Sequence, residues 1–170
     1  MRHDEADPHH HLILDSPVGE LTLIASATGL RAVLWPHDDT SRVKVPHSEP
    51  SDDHQILNQA AEELDRYFNG GHRQFAIALD LRGTEFQQAV WLSLANIPYG
   101  QTVSYAEQAK RLGRPRAVRA VGSANARNPI SIVLPCHRVV GSDGSLTGFA
   151  GGLDTKRQLL QLEGALPTPS

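Results

Sequence analysis

Residues 104–127 read SYAEQAKRLGRPRAVRAVGSANAR, and the punctuation of this stretch decides the architecture of the chain's second half. Ser104 followed three residues later by Glu107 is a capping box, in which hydroxyl and carboxylate each satisfy an orphan amide of a helix's first turn. It predicts a helix to about Leu112. Gly113-Arg114-Pro115 then breaks the chain, because glycine readily takes the left-handed conformation that ends a helix and proline cannot continue one. Pro115 suits the first position of a new helix, predicted to run to about Arg127. Helix, short glycine-containing turn, helix is the helix-turn-helix pattern. On the second helix Arg116, Arg119, Ser123 and Arg127 fall near one face. Ala117, Ala120 and Ser123 are small, so the helix is slim enough to enter a groove. Ala120 and Ala124 equally suit packing of helix against helix.

Outward from this pair, Thr84 is placed to cap a helix through about Asn96, ended by Pro98 and Gly100. Downstream, Ile130–Leu134 reads as a strand leading into Pro135-Cys136-His137-Arg138, and Asp143-Gly144 signals a hairpin turn. A short helix over Thr155–Glu163 closes the domain, with 166–170 a loose tail. Upstream, Leu12–Leu14, Leu21–Ala25 and Ala32–Trp35 read as short strands, separated by the turn signals Ser16-Pro17-Val18-Gly19 and Thr28-Gly29. Residues 36–53, rich in Pro, His, Asp and Ser, read as an exposed loop. Ile56, Leu57, Ala60, Ala61, Leu64 and Phe68 have helical spacing, and Gly70-Gly71 ends that helix. Gln74–Leu81 alternates, with Phe75, Ile77, Leu79 and Leu81 on one face, and predicts a further strand. Arg82-Gly83 marks a boundary. The expected fold class is α+β: a small sheet-plus-helix domain over 1–82, then a mainly α-helical domain over 83–165. No internal repeat is present.

The 170 residues are 39% apolar and 21% charged, which suits a folded chain with a core and excludes disordered, collagen-like and disulfide-scaffold classes. No apolar run approaches the ~18 residues of a membrane helix. Met1–Pro8 is polar and acidic with no hydrophobic stretch behind it, so no secretory signal and a cytoplasmic location are expected. The net charge of −3 hides an asymmetry. Residues 1–80 carry six Lys/Arg against fourteen Asp/Glu, whereas residues 81–170 carry ten against five. Lys110–Arg138 holds seven basic residues and no acidic one. Such a block suits a polyanion, since clustered cations release counterions from a phosphate backbone. It also suits a solvated basic face.

Cys136 is the only cysteine. That excludes an internal disulfide, a CxxC redox pair and a multi-cysteine zinc site, and leaves any thiol chemistry without a resolving partner. The reactive species is the thiolate, scarce at neutral pH for a thiol of pKa ~8.5, so a nucleophilic Cys136 needs a base. His137 is adjacent, but strand neighbours point to opposite sides, so a water or a turn would have to join them. Alone, the dipeptide equally describes a structural thiol beside a surface histidine. Glu163 shares the apolar stripe of Leu159 and Leu160 on the last helix, and a carboxylate held there needs a partner. His137 would give a Glu–His–water–Cys relay; a frayed helix end in water is the alternative. Asn128-Pro129 lies between arginine helix and cysteine segment, where an Asn side chain can bond turn backbone. His9-His10-His11 lack a defined metal geometry.

Together these motifs resemble the O6-alkylguanine-DNA alkyltransferases, bacterial type. Leu134-Pro135-Cys136-His137-Arg138-Val139-Val140 matches that family's active-site signature. Ile97-Pro98-Tyr99-Gly100-Gln101-Thr102-Val103-Ser104-Tyr105 resembles its segment ahead of the recognition helix. Arg119-Ala120-Val121-Gly122, Asn128-Pro129 and Gly148-Phe149-Ala150-Gly151-Gly152 also fit. The likeness covers 83–165 closely and the first half loosely, through Asp15-Ser16-Pro17-Val18-Gly19.

The resemblance implies a ribonuclease H-like first domain, a winged-helix-like second domain, and irreversible transfer of the alkyl group of O6-alkylguanine, with O4-alkylthymine a further substrate, to Cys136. It implies His137 as water-mediated base with Glu163 behind it, Asn128 as brace, and Tyr105 at the flipped nucleotide's phosphate or the departing base. Arg119 would fill the gap in the stack, with Arg116, Ala117, Ala120, Ser123 and Arg127 along the DNA. Val139, Phe149 and Ala150 would line the base pocket, the Val139 carbonyl reading the exocyclic amine. The partner is alkylated double-stranded DNA, bound in the minor groove by a monomer with no cofactor and no metal. Extruding the base costs a few kcal/mol, which a stacking guanidinium partly offsets. Vertebrate relatives carry zinc ligands in the first half; without cysteine there, this chain is expected to lack that site. Ala150 and Phe149 stand where some relatives have Ser and Tyr. A lesion sensor without turnover and a cysteine hydrolase built on Cys136, His137 and Glu163 are the competing readings.

Overall fold

Short strands with one oily face need that face covered by another layer, and in the first half a helix covers it. The computed structural model describes residues 7–167, so most of the polar N-terminal stretch and the last three tail residues lie outside the described residues. The chain divides into two compact units between Arg82 and Gly83.

In the first unit, β1 (His9–Leu14), β2 (Leu21–Ala25), β3 (Leu30–Leu34) and β4 (Ser48–Pro50) form one sheet in the order β3-β2-β1-β4. β1 and β2 pair antiparallel with Leu12 opposite Leu23, and β2 and β3 with Leu23 opposite Val33. Helix α1 (Gln55–Phe68) lays Leu57, Ala60, Leu64 and Tyr67 against this sheet, all fully buried. The β1–β2 turn closes on Gly19, whose φ of +102° and 2.8 Å Cβ approach to Pro36 exclude a side chain.

Two expectations fail here. Residues 36–53 are not all loop: Ser48–Pro50 adds parallel to β1, too short and polar to carry a strand pattern. Gln74–Leu81 is not a strand. It touches the sheet through one bridge, Leu79 to Leu30, while the Ala76 amide goes to the Glu63 carboxylate at 2.8 Å, tying the segment to α1 instead. The three histidines open β1, where alternation sends neighbours to opposite faces: His9 is buried beside Arg31, and His11 Nδ1 meets Ser48 Oγ at 2.8 Å.

In the second unit, α2 (Glu85–Leu94) starts at a reciprocal capping box between Thr84 and Gln87. After β5 (Val103–Ser104), α3 (Tyr105–Arg111) is capped by the Ser104 hydroxyl, which accepts from Glu107 N at 3.0 Å. The Glu107 carboxylate bonds Arg111 instead, so this cap is one-sided. Gly113, at φ +74°, ends α3 with Arg114 N donating to Ala109 O. Pro115 does not open the next helix: Ala117 N bonds Arg114 O in a separate turn, and α4 (Val118–Ala126) begins beyond it. Val90, Ala109, Val121 and Ala124 form the core of this three-helix cluster, and Trp91 Nε1 donates to Ala124 O at 2.8 Å.

Ile130–Leu134 is not a strand either. It is a tight buried turn, Leu134 N bonding Ile130 O, with Ile132 at φ +74°. Cys136–Arg138 make one 3-10 turn, and β6 (Val139–Val140) pairs parallel with β5, Val103 opposite Val139. Gly144 N closes a turn on Gly141 O, yet no hairpin forms, because β6 has β5 as its partner. Helix α5 (Leu153–Leu162) follows, capped by Glu163. The whole is an α+β fold, a sheet-based unit followed by a mainly helical one. No helix among the described residues is long and apolar enough to cross a membrane.

Candidate active site and nucleic-acid interface

Asn128 ties the end of α4 to the cysteine loop. Fully buried, it accepts from Ile130 N at 3.0 Å and donates to Leu134 O at 2.8 Å. Both bonds close backbone groups that the tight turn would otherwise leave unsatisfied inside the protein. The turn delivers Cys136, buried, with its amide bonded to Leu134 O.

Because Cys136 and His137 share a 3-10 turn, the strand alternation expected of them does not apply. His137 is completely buried, and its Nε2 lies 2.7 Å from Glu163 Oε2. Its Nδ1, also buried, has no hydrogen-bond partner among the described residues. Burial pushes His137 below the ordinary histidine range; the hydrogen bond and charge of Glu163 oppose that push, while Arg138 and Lys156 add to it. The ring is therefore neutral at neutral pH.

Two cations to which the sequence reading gave no role complete the site. Arg138 grips Glu163 with a fork, Nε to Oε1 at 2.8 Å and Nη2 to Oε2 at 3.0 Å, and its Nη1 donates to Ile97 O at 2.6 Å. Its guanidinium also lies over the Tyr99 ring, 5.7 Å from the centroid. Lys156 is fully buried, and its Nζ donates to Val139 O at 2.7 Å and Thr147 O at 2.9 Å. Burial lowers this ammonium to about 8, and the charge of Cys136 works the other way. The signal for Lys156 was in the sequence. It occupies the same helical stripe as Leu159, Leu160 and Glu163, where a lone cation needs partners as much as a carboxylate does.

Tyr105, at the start of α3, donates to Thr147 O at 3.3 Å, and its ring lies 5.9 Å from Lys156 Nζ. The Phe149 ring stands 6.0 Å from the same nitrogen, half-buried, whereas Ala150 is exposed. The Val139 carbonyl already accepts from Lys156 and keeps its second lone pair. A Cβ on Gly122 would lie 3.9 Å from the Tyr105 ring, so α4 passes close by this side chain.

Along α4, Arg119, Ala120 and Ser123 are exposed, as is Arg127 at its C-cap. Arg116 is exposed too but stands in the turn before the helix rather than on it. Ala117 is half-buried, and Ala124 is taken up by the core. A buried amide pair also locks the two helices of the motif, Asn125 Nδ2 donating to Gln108 Oε1 at 2.7 Å. No sequence signal pointed to either residue, since no periodicity separates a buried amide from an exposed one.

Residues 85–165 match the family described as "6-O-methylguanine DNA methyltransferase, DNA binding domain", and residues 9–81 match "6-O-methylguanine DNA methyltransferase, ribonuclease-like domain". The methylated-DNA–protein-cysteine methyltransferase of Methanosarcina acetivorans is 44% identical over 156 residues, 92% of this chain and 99% of its own length. Its namesake from Mycobacterium tuberculosis is 46% identical over 157 residues, covering 91% of this chain and 92% of that protein. The crystal structure of Mycobacterium tuberculosis OGT in complex with DNA superposes with a TM-score of 0.84 at 46% identity, over 92% of this chain and 93% of that one. With both units matched in order and the buried cysteine, histidine and glutamate gathered in the second, the chain belongs to the 6-O-methylguanine DNA methyltransferase family.

Proposed function

We propose that this protein repairs O6-alkylguanine in DNA, with O4-alkylthymine a further substrate, by moving the alkyl group irreversibly onto its own Cys136. The observation that carries the reading is the buried His137–Glu163 hydrogen bond of 2.7 Å beside Cys136, with the histidine's other nitrogen unused by any described residue. Glu163 orients the ring, and Nδ1 takes the thiol proton through a bridging water. The sulfur then attacks the alkyl carbon, a new S–C bond forms, and the C–O6 bond breaks with its electron pair passing to the base. The Tyr105 hydroxyl passes its proton to the departing guanine and regains one from solvent, while His137 releases the thiol proton, so that on balance one proton moves from sulfur to base. Lys156 supplies positive charge toward the developing thiolate. Preorganised charge of this sort accounts for much of the rate enhancement in many enzymes.

A thioether does not exchange with thiols, and the chain holds no second cysteine, so each molecule acts once. The exposed Arg116, Arg119 and Arg127 anchor alkylated double-stranded DNA, and α4 enters its minor groove past Ala117, Ala120 and Ser123. Arg119 replaces the extruded nucleotide in the stack. Val139, Phe149 and Ala150 face the flipped base, and Asn128 keeps the cysteine turn in place. The protein works as a monomer without cofactor or metal, in the cytoplasm, where a lone thiol stays reduced.

Intact-protein mass after mixing excess protein with a duplex bearing one O6-methylguanine tests the reading. One added methyl group, located on Cys136 and limited to one per molecule, is the expected result. An unchanged mass with tight binding would point to a lesion sensor; no change and no binding would overturn the assignment.

A further inference from the structure

We infer that Arg138 is a positioning residue that selects the reactive tautomer of His137 by holding Glu163 permanently as a carboxylate; this rests on the proposed role of His137 as base.

A carboxyl group as buried as that of Glu163 gains a proton readily when left alone, because burial disfavours its charged form. Protonated, it becomes an O–H donor. Its partner across 2.7 Å, His137 Nε2, would then have to accept, and a neutral imidazole that accepts at Nε2 carries its proton on Nδ1. That tautomer has no lone pair left with which to take a proton from the thiol side.

Arg138 removes the ambiguity. Guanidinium does not deprotonate in proteins, and its planar fork matches a carboxylate oxygen for oxygen. Here the fork spans both oxygens of Glu163, at 2.8 and 3.0 Å. With its charge secured, Glu163 only accepts. His137 Nε2 must donate, and the lone pair is left on Nδ1, the nitrogen that no described residue uses. Arg138 cannot swing away, for Nη1 is bound to Ile97 O and the guanidinium lies over Tyr99.

The same pairing offsets much of the glutamate's charge as felt by the ring. An imidazolium formed during reaction is then weakly held, which favours passing the proton onward. A lysine at 138 would keep the charge and lose the fork, so the two contributions are separable.

The test uses full-length protein with 15N-labelled histidine. NMR assigns the protonated nitrogen of His137 in wild type, Arg138→Gln and Arg138→Lys, alongside the transfer rate from the free base O6-benzylguanine. Wild type is expected to carry the proton on Nε2. Arg138→Gln is expected to move it to Nδ1 and slow transfer on the order of 10²-fold, the scale of a lost general base, with Arg138→Lys between them. A wild-type His137 protonated on Nδ1 overturns the inference without needing any variant to fold. So does slowed transfer in Arg138→Gln with the proton still on Nε2. If wild type transfers no alkyl group at all, the functional reading fails, and the measured tautomer still decides the structural claim.

Discussion

His137 Nε2 and Glu163 Oε2 lie 2.7 Å apart with neither side chain touching solvent. A buried ionisable pair of this sort adds little net stability, but losing one partner strands the other. Glu163→Gln leaves Arg138 buried without its counter-charge and gives His137 an amide in place of a carboxylate. The expected cost is about 3–5 kcal/mol in urea unfolding, together with transfer slowed on the order of 10²-fold. Quenched-flow transfer and denaturation curves check both; an unaltered rate would remove Glu163 from the relay.

Arg119→Ala separates binding from chemistry. Arg119 is exposed on α4, whereas His137 and Glu163 are buried. The variant is expected to react normally with free O6-benzylguanine and to repair duplex DNA more slowly, since the gap left by the extruded base goes unfilled. Equal losses on both substrates would count against the role in the stack.

Lys156 titrates near 8 because burial disfavours its charge. The transfer rate is expected to level and then fall as pH passes about 8 and the ammonium is lost, and Lys156→Met should lack that fall. The linkage has a definite sign. A folded-state value below the unfolded one means that the unfolded chain binds more protons between about 8 and 10.5, so this group makes stability rise with pH across that window. Rate profiles and unfolding curves from pH 6 to 10 test both statements.

Asp80, in the first unit, is also held below its ordinary value, but by partners rather than by burial. Burial would raise it, but hydrogen bonds from Arg82 and Ser26 and the charges of Arg82 and Arg31 outweigh that and hold it at about 2. Its contribution is present above the ordinary 3.8 and is lost as pH falls toward 2. Asp80→Asn should therefore lower the thermal midpoint at pH 7, and the gap to wild type should narrow between pH 4 and 2. A gap that stays constant would show that the carboxylate's charge is not what stabilises.

Asn128→Ala strips partners from Ile130 N and Leu134 O inside the protein. Each unsatisfied group costs about 1–3 kcal/mol. Transfer should slow along with the loss of stability, because the turn that presents Cys136 is released; calorimetry and transfer kinetics on one sample would show whether the two move together.

Local chemistry along the chain determined much of this protein. Thr84 and Ser104 named the starts of two helices, because a capping oxygen acts within three residues of itself. The helical stripe of Glu163 pointed inward to His137, and the motif around Cys136 identified the family. Tertiary structure decided the rest, wherever a residue's partner lies far along the chain. Ile130–Leu134 has the composition of a strand, yet Asn128 bonds draw it into a turn. Gln74–Leu81 alternates like a strand, but Glu63 takes a backbone amide that the sheet edge would need. Arg138 closes a run of basic residues that suits a surface and is instead buried against Glu163. Periodicity reports which face of an element is oily; it carries no record of which distant carboxylate or carbonyl a buried cation will meet, and at this site that meeting sets the chemistry.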